Sequence, residues 1–438
     1  MQAMPVEKAL DELTPSDHDT IRREHPSVGR TLIVSRTLAR DRDQFDLGLH
    51  DDEFLAPIAL VSEAHGTETY ASAVAALIET RPQPGGVPLR GDLLGALLLM
   101  ADELDLQRAR ATFPNEAKLS TVSMVHHFLN HYVSGVHVCD ASVPTTRRIS
   151  IDFLFPEDSQ PFRNDVRELI VKKLLRQSRL TNPVIARRTD GQMQWDTRVA
   201  THETLDVAGQ LRHPTPEVWQ HMRRSVVEGR LIGRRELLKD IKKVIDASSD
   251  LTSTSAEIVM SEGSEEETSL LIEWLQLNAA IQRRPFVHVA PDVLPAGHGP
   301  HGVLALVARQ LGCINVRSHE DLTDALAMLS PLPLFVIEAV GQVKPTLAGL
   351  KKLVNAAARS AAPCVALSSR PSFGLPVIEF APLGASEIAE HLVSAQGHTT
   401  EGANEEAKVL YLASGGRPGP IIAALHAEFE QAIVHQAL

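Results

Sequence analysis

The stretch 258–271, IVMSEGSEEETSLL, joins an apolar run, a short polar loop and a second apolar segment without interruption. Ile258, Val259 and Met260 have the character of a buried strand, and the residues after Ser269 carry apolar side chains at helical spacing. A buried strand that passes through a short loop into a helix is the first half of a βαβ unit, which builds parallel sheets. The stretch therefore predicts a parallel α/β sheet in the C-terminal half of the chain.

The loop in this stretch has the frame of the phosphate-binding motif G-x-x-x-x-G-K-[ST], with Thr268 at the last position. Ser261 stands where the first glycine belongs, Glu266 where the second glycine belongs, and Glu267 where the lysine belongs. A working loop directs backbone N–H groups, a helix N-terminus and one ammonium at the nucleotide phosphates. The sequence thus predicts a nucleotide-binding type of fold that has lost its catalysis.

Three consecutive glutamates, 265–267, would face the phosphates in that frame, and Gly263 and Thr268 are the motif-like groups that remain. A simpler interpretation is that a strand, an acidic turn and a helix follow one another by chance. Glutamates in a first helical turn are favourable with the helix dipole, so they need no functional reason. The segments on either side of the loop separate the two interpretations.

Five other segments are similar to elements of STAND and related AAA-type ATPases, in the same order along the chain. They are RLIGRRE at 230–236, PLFVIEAV at 333–340, PCVALSSRP at 363–371, FAPLGASEIAEHL at 380–392 and SGGRPGPI at 414–421. In that order they resemble the GR-x-x-E element, the Walker B strand, the sensor strand, the PL-x-x-x-E element and the GG-x-P helix start. Residues 230–438 therefore resemble a STAND-type P-loop NTPase domain with a helical lid from about residue 384.

This resemblance implies roles for residues beyond the loop. Glu338 takes the metal-binding acid of the Walker B strand, Ala339 replaces the acid that polarises water, and Arg370 takes the sensor position. Phosphoryl transfer depends on positioning and charge stabilisation around Mg²⁺ and the phosphates. We therefore expect a pseudo-ATPase without a cofactor. Thr268 and Arg370 leave an alternative, a switch that binds nucleotide weakly without hydrolysing it.

The first half of the chain has apolar residues at helical spacing in four segments. These are 18–40, 53–63, 67–80 and 91–111, and the segment RPQPGGVP at 81–88 interrupts them. Asp102 lies inside the most apolar of these helices. A buried carboxylate needs a metal, a cation or several hydrogen-bond donors, so we expect Asp102 to have such a partner.

Three segments of this helical half resemble the HD phosphohydrolase superfamily, in particular the HD-like domain often joined to GHKL-type ATPases. They are IRREHPSVG at 21–29, SEAHG at 62–66 and LLGALLLMADELDLQRAR at 93–110. The resemblance places His25, His65 and Asp102 at ligand-type positions. An active HD site also needs an adjacent His-Asp pair and further ligands around its metals.

The early His-Asp pair of this chain is His18-Asp19, close to the first residue, so the ligand shell is incomplete in either alignment. We therefore expect a degenerate pocket without a metal, in which His65 and Asp102 form a buried hydrogen-bonded pair. A working metal-dependent phosphohydrolase remains the alternative.

A small α/β region follows the helices. The sequence predicts a strand at 147–155, a helix at 162–177 and a hairpin at 183–195 around Asp190-Gly191. The expected organisation is multidomain, α and α/β. It consists of a helical HD-like domain with this appended region at 1–204, a linker at 205–229, and the pseudo-NTPase domain at 230–438.

Histidines and basic residues form further clusters. His126, His127, His131 and His137 have no evident carboxylate or thiol partner, although 127 and 131 share a helical face, so we expect solvent or core positions for them. Basic residues crowd 163–179 and 223–243, and such runs usually form solvated faces or contact acidic neighbouring surfaces. A net charge of −12 argues against a general nucleic-acid binder, and these two segments are where nucleic acid could still bind.

Composition indicates a cytoplasmic protein. The three cysteines, Cys139, Cys313 and Cys364, are far apart and fit neither a disulfide framework nor a zinc site. The first residues lack the apolar core of a signal peptide, and GALLLMA at 95–101 is too short to span a membrane.

These patterns together predict a non-catalytic adaptor, sensor or regulatory scaffold. Inactive STAND modules of this type resemble those of prokaryotic conflict and anti-phage defence systems, where they pair with effectors. The expected partner is therefore a protein, either an effector or a sensor subunit.

Overall fold

The structure is a computed structural model that describes residues 15–38, 52–83, 86–111, 120–141, 143–246, 254–261, 264–290, 300–313, 316–339 and 344–435. The chain forms two compact units. The first comprises Met1–Met222 with Val393–Thr399 and Ala427–Leu438, and the second comprises Arg223–Leu392 with Thr400–His426. The predicted fold class, multidomain α and α/β, is confirmed.

Helices come first in the first unit. They are α1 Pro15–Leu38, α2 Asp52–Glu63, α3 Tyr70–Thr80, α4 Gly91–Leu104 and α5 Thr121–His131. In α4 the buried residues include Ala96, Leu99, Met100 and Glu103, the spacing of one helical face. A Cβ on Gly95 would lie 2.8 Å from the Ala64 Cβ, so the small residue allows the backbone to approach closely.

A four-stranded sheet and one long helix follow in the first unit. The strands are β1 Val133–Asp140, β2 Thr146–Pro156, β3 Gln194–Asp206 and β9 Ile433–His435, and the helix is α6 Gln160–Arg188. The strand order is β1-β2-β3-β9, in which β1 and β2 are antiparallel and the other pairs are parallel. Ile149, Ile151, Phe153 and Phe155 alternate along β2 and are at most 1% exposed, so the predicted strand is confirmed.

The predicted hairpin at 183–195 is wrong in its first half, because α6 continues through Pro183 to Arg188. Val184 and Ile185 are buried in the core from this helix rather than from a strand. The turn itself lies where the sequence placed it, since Asp190 has a φ of 50° and Gly191 a φ of 73°. It ends a helix and leads into β3.

The second unit is built around β4 Ser255–Met260, β5 Phe286–Val289, β6 Leu334–Glu338, β7 Cys364–Ser368 and β8 Val377–Phe380. All the described pairings are parallel, in the order β5-β6-β7-β4-β8. The helices that belong to it wholly or in part are α7 Pro216–Arg230, α8 Arg235–Asp246, α9 Glu265–Ile281, α10 Pro300–Gln310, α11 His319–Ala327, α12 Lys344–Arg359, α13 Ala385–Gln396, α14 Thr400–Ser414 and α15 Pro418–Ala432.

The parallel sheet is covered on both faces, because alternate residues of β6 belong to different cores. Phe335 and Ile337 pack with residues of α10, α11 and α12, whereas Leu334 and Val336 pack with residues of α8 and α9. All four side chains are 0% exposed. Continuous apolar strands of this kind are typical of sheets with helices on both sides.

The boundaries of the two units differ from the predicted domains. The predicted linker, 205–229, contains the end of β3 and most of α7, and the division falls inside α7. The predicted lid comprises α13, α14 and α15, but the chain then forms β9, which pairs with β3 through Ile433 and Val199. Residues 433–435 therefore extend the sheet of the first unit.

Candidate functional site

The motif-like stretch begins in β4 and ends in α9, so the predicted order of strand and helix is confirmed. Ser264 precedes the helix, and its Oγ donates to the Ser261 carbonyl oxygen at 2.7 Å. Thr268, the last motif position, is 8% exposed and lies in the first turn of α9. Gly263 lies outside the described residues.

Glu267, which takes the place of the motif lysine, is 1% exposed and does not face a phosphate site as expected. The Arg234 Nε donates to its Oε1 at 2.6 Å, and the guanidinium itself is 2% exposed. Burial raises the pKa of Glu267, while the hydrogen bond and charge of Arg234 oppose that shift. Glu265 and Glu266 are exposed at the start of the helix.

Arg234 also contacts the end of β8. It donates to the Ala381 carbonyl oxygen at 2.6 Å, and its Cζ lies 4.9 Å from the centre of the Phe380 ring. These contacts satisfy the guanidinium in a fork geometry that a lysine could not match. The pair therefore ties the loop before α8 to both α9 and β8.

Three of the STAND-like segments meet around this pair. Gly233 has a φ of 68°, and a Cβ there would lie 2.9 Å from the Leu383 Cδ2. Leu383 N donates to the Gly416 carbonyl oxygen at 2.8 Å, and Gly384 N donates to the Glu387 carboxylate at 2.7 Å. The segments around 233, 383 and 416 thus form one packed cluster, which the sequence could predict only by analogy.

The other predicted nucleotide-pocket residues lie at the carboxyl edge of the sheet. Glu338 pairs in register with Leu367, and Ser368 pairs with Val259, so the ends of β6, β7 and β4 are adjacent. Ligands of open α/β sheets bind at this edge. Glu338 is partly exposed, with its Oε2 3.4 Å from the His288 Nε2, and Arg370 is exposed. No hydrogen bond or ion pair among the described residues joins Thr268, Glu338 and Arg370.

Sequence reasoning missed Glu257, a 0% exposed carboxylate in the middle of β4. It accepts hydrogen bonds from the Ser368 Oγ at 2.7 Å, the Ser372 N at 2.6 Å and the Phe373 N at 2.9 Å. It therefore holds the connection from β7 to β8 against the strand that leads into the loop. The sequence feature that could have identified this residue is a glutamate between Ala256 and Ile258 in a mostly apolar strand.

A second candidate site is a cavity of about 830 Å³ in the first unit, where the three HD-like positions meet. Its lining includes four histidines, which are His25, His65, His126 and His127. Its acidic residues are Glu24, Glu68, Asp102, Glu103 and Asp105. The cavity thus brings together His25, His65 and Asp102, the three positions that the resemblance singled out.

Asp102 is exposed, so the expected burial and the expected pair with His65 are wrong. The buried carboxylate of α4 is the next residue, Glu103, which is 5% exposed and lies 2.8 Å from the Lys173 Nζ. The reason is the helical period. Leu99 and Met100 fix the core-facing side of α4, and Glu103 rather than Asp102 continues that side.

His65 pairs instead with His25, and the two Nε2 atoms are 2.7 Å apart. His65 lies in the turn after α2, and its Nδ1 contacts the Ser62 carbonyl oxygen. A Cβ on Gly66 would lie 2.7 Å from the Pro26 Cγ, so the absence of a side chain lets this turn lie against α1. Local packing therefore brings the two imidazoles together.

The four histidines at 126, 127, 131 and 137 lie in three different environments. His126 and His127 are partly exposed and line the cavity from α5. His131 does lie in the core, where its Nε2 accepts from the Arg212 N at 3.1 Å. Burial first, and then the charges of Arg108 and Arg212, lower its pKa to about 4. His137 is exposed and pairs with Asp152.

The basic segments form ion pairs with acids of their own unit. In 163–179 these pairs are Arg163 and Arg167 with Glu203, Lys172 with Glu168, Lys173 with Glu103, and Arg179 with Glu428. In 223–243 they are Arg223 with Glu273, Arg224 with Glu228, Arg234 with Glu267, Lys239 with Glu236, Lys242 with Asp246, and Lys243 with Asp240. The acidic neighbouring surface that such runs contact is thus within the chain itself.

Cys139, Cys313 and Cys364 are free thiols. Burial raises the pKa of Cys364, which lies in β7, to about 12. Within the described residues, no helix combines the length and the apolar character that crossing a membrane requires.

No family model matches the sequence, and no curated protein matches it. Four chains of solved structures do match. One belongs to the structure of Drosophila ORC bound to GC-rich DNA and Cdc6, at 11% identity and a TM-score of 0.27. The match covers 43% of this chain and 37% of that chain, so it spans well under half of the solved chain. The parallel, two-sided sheet of the second unit fits a P-loop NTPase-like fold.

Proposed function

We propose that the protein is a non-catalytic regulatory adaptor whose second unit is a pseudo-ATPase, and that it acts through a protein partner. The observation that carries the proposal is the buried Arg234–Glu267 pair at the position of the motif lysine. A triphosphate needs cationic groups and backbone donors at this helix start. Here the charge of Arg234 is balanced by the Glu267 carboxylate inside the protein.

The composition of the sheet edge supports the same proposal. Glu338 lies beside His288, and the next residue, Ala339, is 8% exposed and supplies no group that could polarise water. Hydrolysis in this fold needs a metal-held phosphate and an oriented water. The sheet nevertheless keeps apolar cores on both faces, so the unit retains a packed scaffold while the groups of the reaction are replaced.

We place the protein in a prokaryotic conflict or anti-phage defence system, with an effector or sensor subunit as partner. This placement depends on the resemblance of the segments and not on the geometry. Most of the cations at 163–179 and 223–243 are already paired with neighbouring acids, so partner binding through these residues would have to break intramolecular ion pairs. We therefore expect the partner to bind elsewhere.

Calorimetric titration with MgATP and a steady-state phosphate-release assay on the full-length protein test the proposal. We expect neither heat nor turnover at millimolar ATP, and the same result for Thr268→Ala. ATP turnover that is lost in Thr268→Ala would contradict the pseudo-ATPase. Binding without turnover that Arg370→Ala abolishes would instead establish a nucleotide-binding switch.

The adaptor role has its own test, which is affinity purification of the tagged chain from its native cells. A partner recovered in fixed proportion, and retained by a variant with Arg167→Glu on α6, supports an adaptor that docks away from the basic segments. A chain that purifies alone from cells expressing its genomic neighbours would contradict the adaptor role.

A further inference from the structure

Strand β1 is the longest open edge of the two described sheets. It has eight residues and pairs with β2 alone, at one end of the order β1-β2-β3-β9. The opposite edge, β9, has three residues, and β8 at one edge of the parallel sheet has four. The other edge of that sheet, β5, is closed by a side chain, because Gln310 accepts from the His288 N and donates to the His288 carbonyl oxygen. A long open edge is a template for another strand.

The backbone groups of alternate β1 residues point away from β2. Ala141 N donates to the Thr146 carbonyl oxygen, and the register stays regular back to the bulge near the start of β1. Bonded pairs recur at every second residue of an antiparallel ladder, so the odd-numbered residues of this regular part bond to β2. The N–H and C=O groups of Val136, Val138 and Asp140 therefore face outward. No hydrogen bond among the described residues takes up these backbone groups.

The same edge leaves part of the core-facing side of the sheet uncovered. Val138 lies opposite Ile149, so both side chains point to one face of the sheet. Ile149 is 1% exposed, whereas Val138 is 48% exposed. A single turn of 3-10 helix at Arg108–Arg110 contacts β1 but leaves residues 137–140 exposed. An added strand would cover Val138 and bond to the outward backbone groups.

The sequence of β1 is symmetric about His137, because a valine stands on each side of it. In an antiparallel pair of two β1 strands with His137 on the two-fold axis, Val136 of each copy lies opposite Val138 of the other. These are outward-facing residues, so the two valine pairs are also hydrogen-bonded pairs. Every other bonded register forms one valine pair at most, and one such register sets Asp140 against Val136. The strand is therefore complementary to itself in one register.

Charges beside the edge do not oppose this pairing. Asp140 pairs with Arg147 at 2.8 Å, and His137 pairs with Asp152 at 2.9 Å, so both acids have partners in their own copy. Strand β1 contains neither lysine nor proline, which commonly keep natural edge strands apart.

We propose that two copies of the chain pair through β1, with His137 on the two-fold axis, and join their four-stranded sheets into one continuous sheet. The interface is confined to one strand and its neighbours, so we expect a dimer of micromolar affinity. The inference concerns the first unit and does not depend on the pseudo-ATPase proposal.

Sedimentation equilibrium of the full-length protein, from low to high micromolar concentration, tests the pairing. We expect a monomer–dimer equilibrium in the wild type. Val138→Pro removes an outward N–H and keeps the bonds to β2, so it should abolish the dimer. Val138→Thr keeps the N–H and the branched shape, and it should retain the dimer.

Far-UV circular dichroism and Tm establish that each variant folds, and Val138→Lys replaces Val138→Pro if the latter does not. A wild type that stays monomeric at high micromolar concentration would overturn the inference. A dimer that persists unchanged in the folded Val138→Pro or Val138→Lys protein would also overturn it, because it would form through another surface.

Disulfide cross-linking tests the register. His137→Cys in a Cys139→Ser background places two thiols in a non-hydrogen-bonded pair, whose Cα atoms lie about 4.5 Å apart, within reach of a disulfide. We expect mild oxidation to give a covalent dimer on non-reducing electrophoresis, and none from the Cys139→Ser parent. The Cys139 residues of a wild-type dimer lie about 13 Å apart along the strands and should not cross-link. Cross-linking of wild-type protein through Cys139, or none in His137→Cys, would contradict pairing about His137.

Discussion

Arg234 and Glu267 form a buried ion pair across 33 positions of sequence, with Nε and Oε1 2.6 Å apart. The arginine lies in the loop before α8, and the glutamate lies in the first turn of α9. A catalytic P-loop places a lysine at this helix start so that its charge faces the nucleotide. The charge here is reversed and then neutralised inside the protein. Glu267 is thus part of the packing of the second unit.

Arg234→Met should destabilise the second unit by about 3–5 kcal/mol, because it leaves a buried carboxylate without its cation. Glu267 is 1% exposed, so water cannot replace the guanidinium. Urea unfolding followed by Trp274 fluorescence measures the change. Both the parent and the variant carry Trp195→Phe and Trp219→Phe. The fluorescence then reports on Trp274 alone, which lies in α9 and is 2% exposed.

The double variant Arg234→Met, Glu267→Leu should recover stability to within about 1 kcal/mol of the parent, since an apolar pair avoids the desolvation of two charges. Lys242→Met breaks an exposed i,i+4 pair with Asp246 and should leave the unfolding midpoint unchanged. An Arg234→Met protein as stable as its parent would show that the pair does not support the fold.

Glu257→Gln should destabilise the second unit by about 2–3 kcal/mol and loosen the connection from β7 to β8. The carboxylate accepts three hydrogen bonds in a 0% exposed position, and the amide of glutamine turns a donor toward at least one N–H. Hydrogen exchange of the Ser372 and Phe373 amides should speed up selectively. Glu379→Gln, on the exposed side of β8, is the control, and equal exchange in both variants would contradict this role.

Periodicity predicted the elements whose side chains repeat on one face. The alternation of 147–155 identified β2, and the leucines of 91–104 identified α4, because burial on one side imposes these patterns directly. The same reasoning failed where a helix continues through a usual breaker, as α6 does at Pro183. It also could not find β9, because three residues are too few to show a period.

Charge reversal at position 267 was visible in the sequence, but its partner was not. A side chain can be paired with another 33 positions away only once the loop before α8 and the start of α9 are placed in space. The histidine cavity illustrates the same limit. His25 and His65 were identified by resemblance, whereas His126 and His127 became part of the site only through the packing of α5.

Gly233→Ala should destabilise the second unit by about 1–2 kcal/mol. The residue has a φ of 68°, and a Cβ would lie 2.9 Å from the Leu383 Cδ2 and 3.3 Å from the Glu387 Cβ. Gly229→Ala is the matched control, because it lies in α7 with nothing within 4 Å of an added Cβ, and it should stabilise by about 0.5 kcal/mol. Urea unfolding gives the free energy of unfolding of both variants. A change of the same sign in Gly233→Ala and Gly229→Ala would contradict a strained conformation at Gly233.

His131 should make the first unit less stable as the pH falls from about 6.5 to about 4, since its pKa is lowered from 6.5 to about 4. The unfolded chain binds the proton first, so stability is fully present above pH 6.5 and declines below it. Solvent partly screens the charges of Arg108 and Arg212. We therefore expect the free energy of unfolding to fall by about 2 kcal/mol over this pH range. His131→Gln keeps an acceptor for the Arg212 N–H and should remove this share of the pH dependence in urea unfolding, whereas His137→Gln should retain it. Parallel pH profiles for the wild type and His131→Gln would assign the acid sensitivity to other groups.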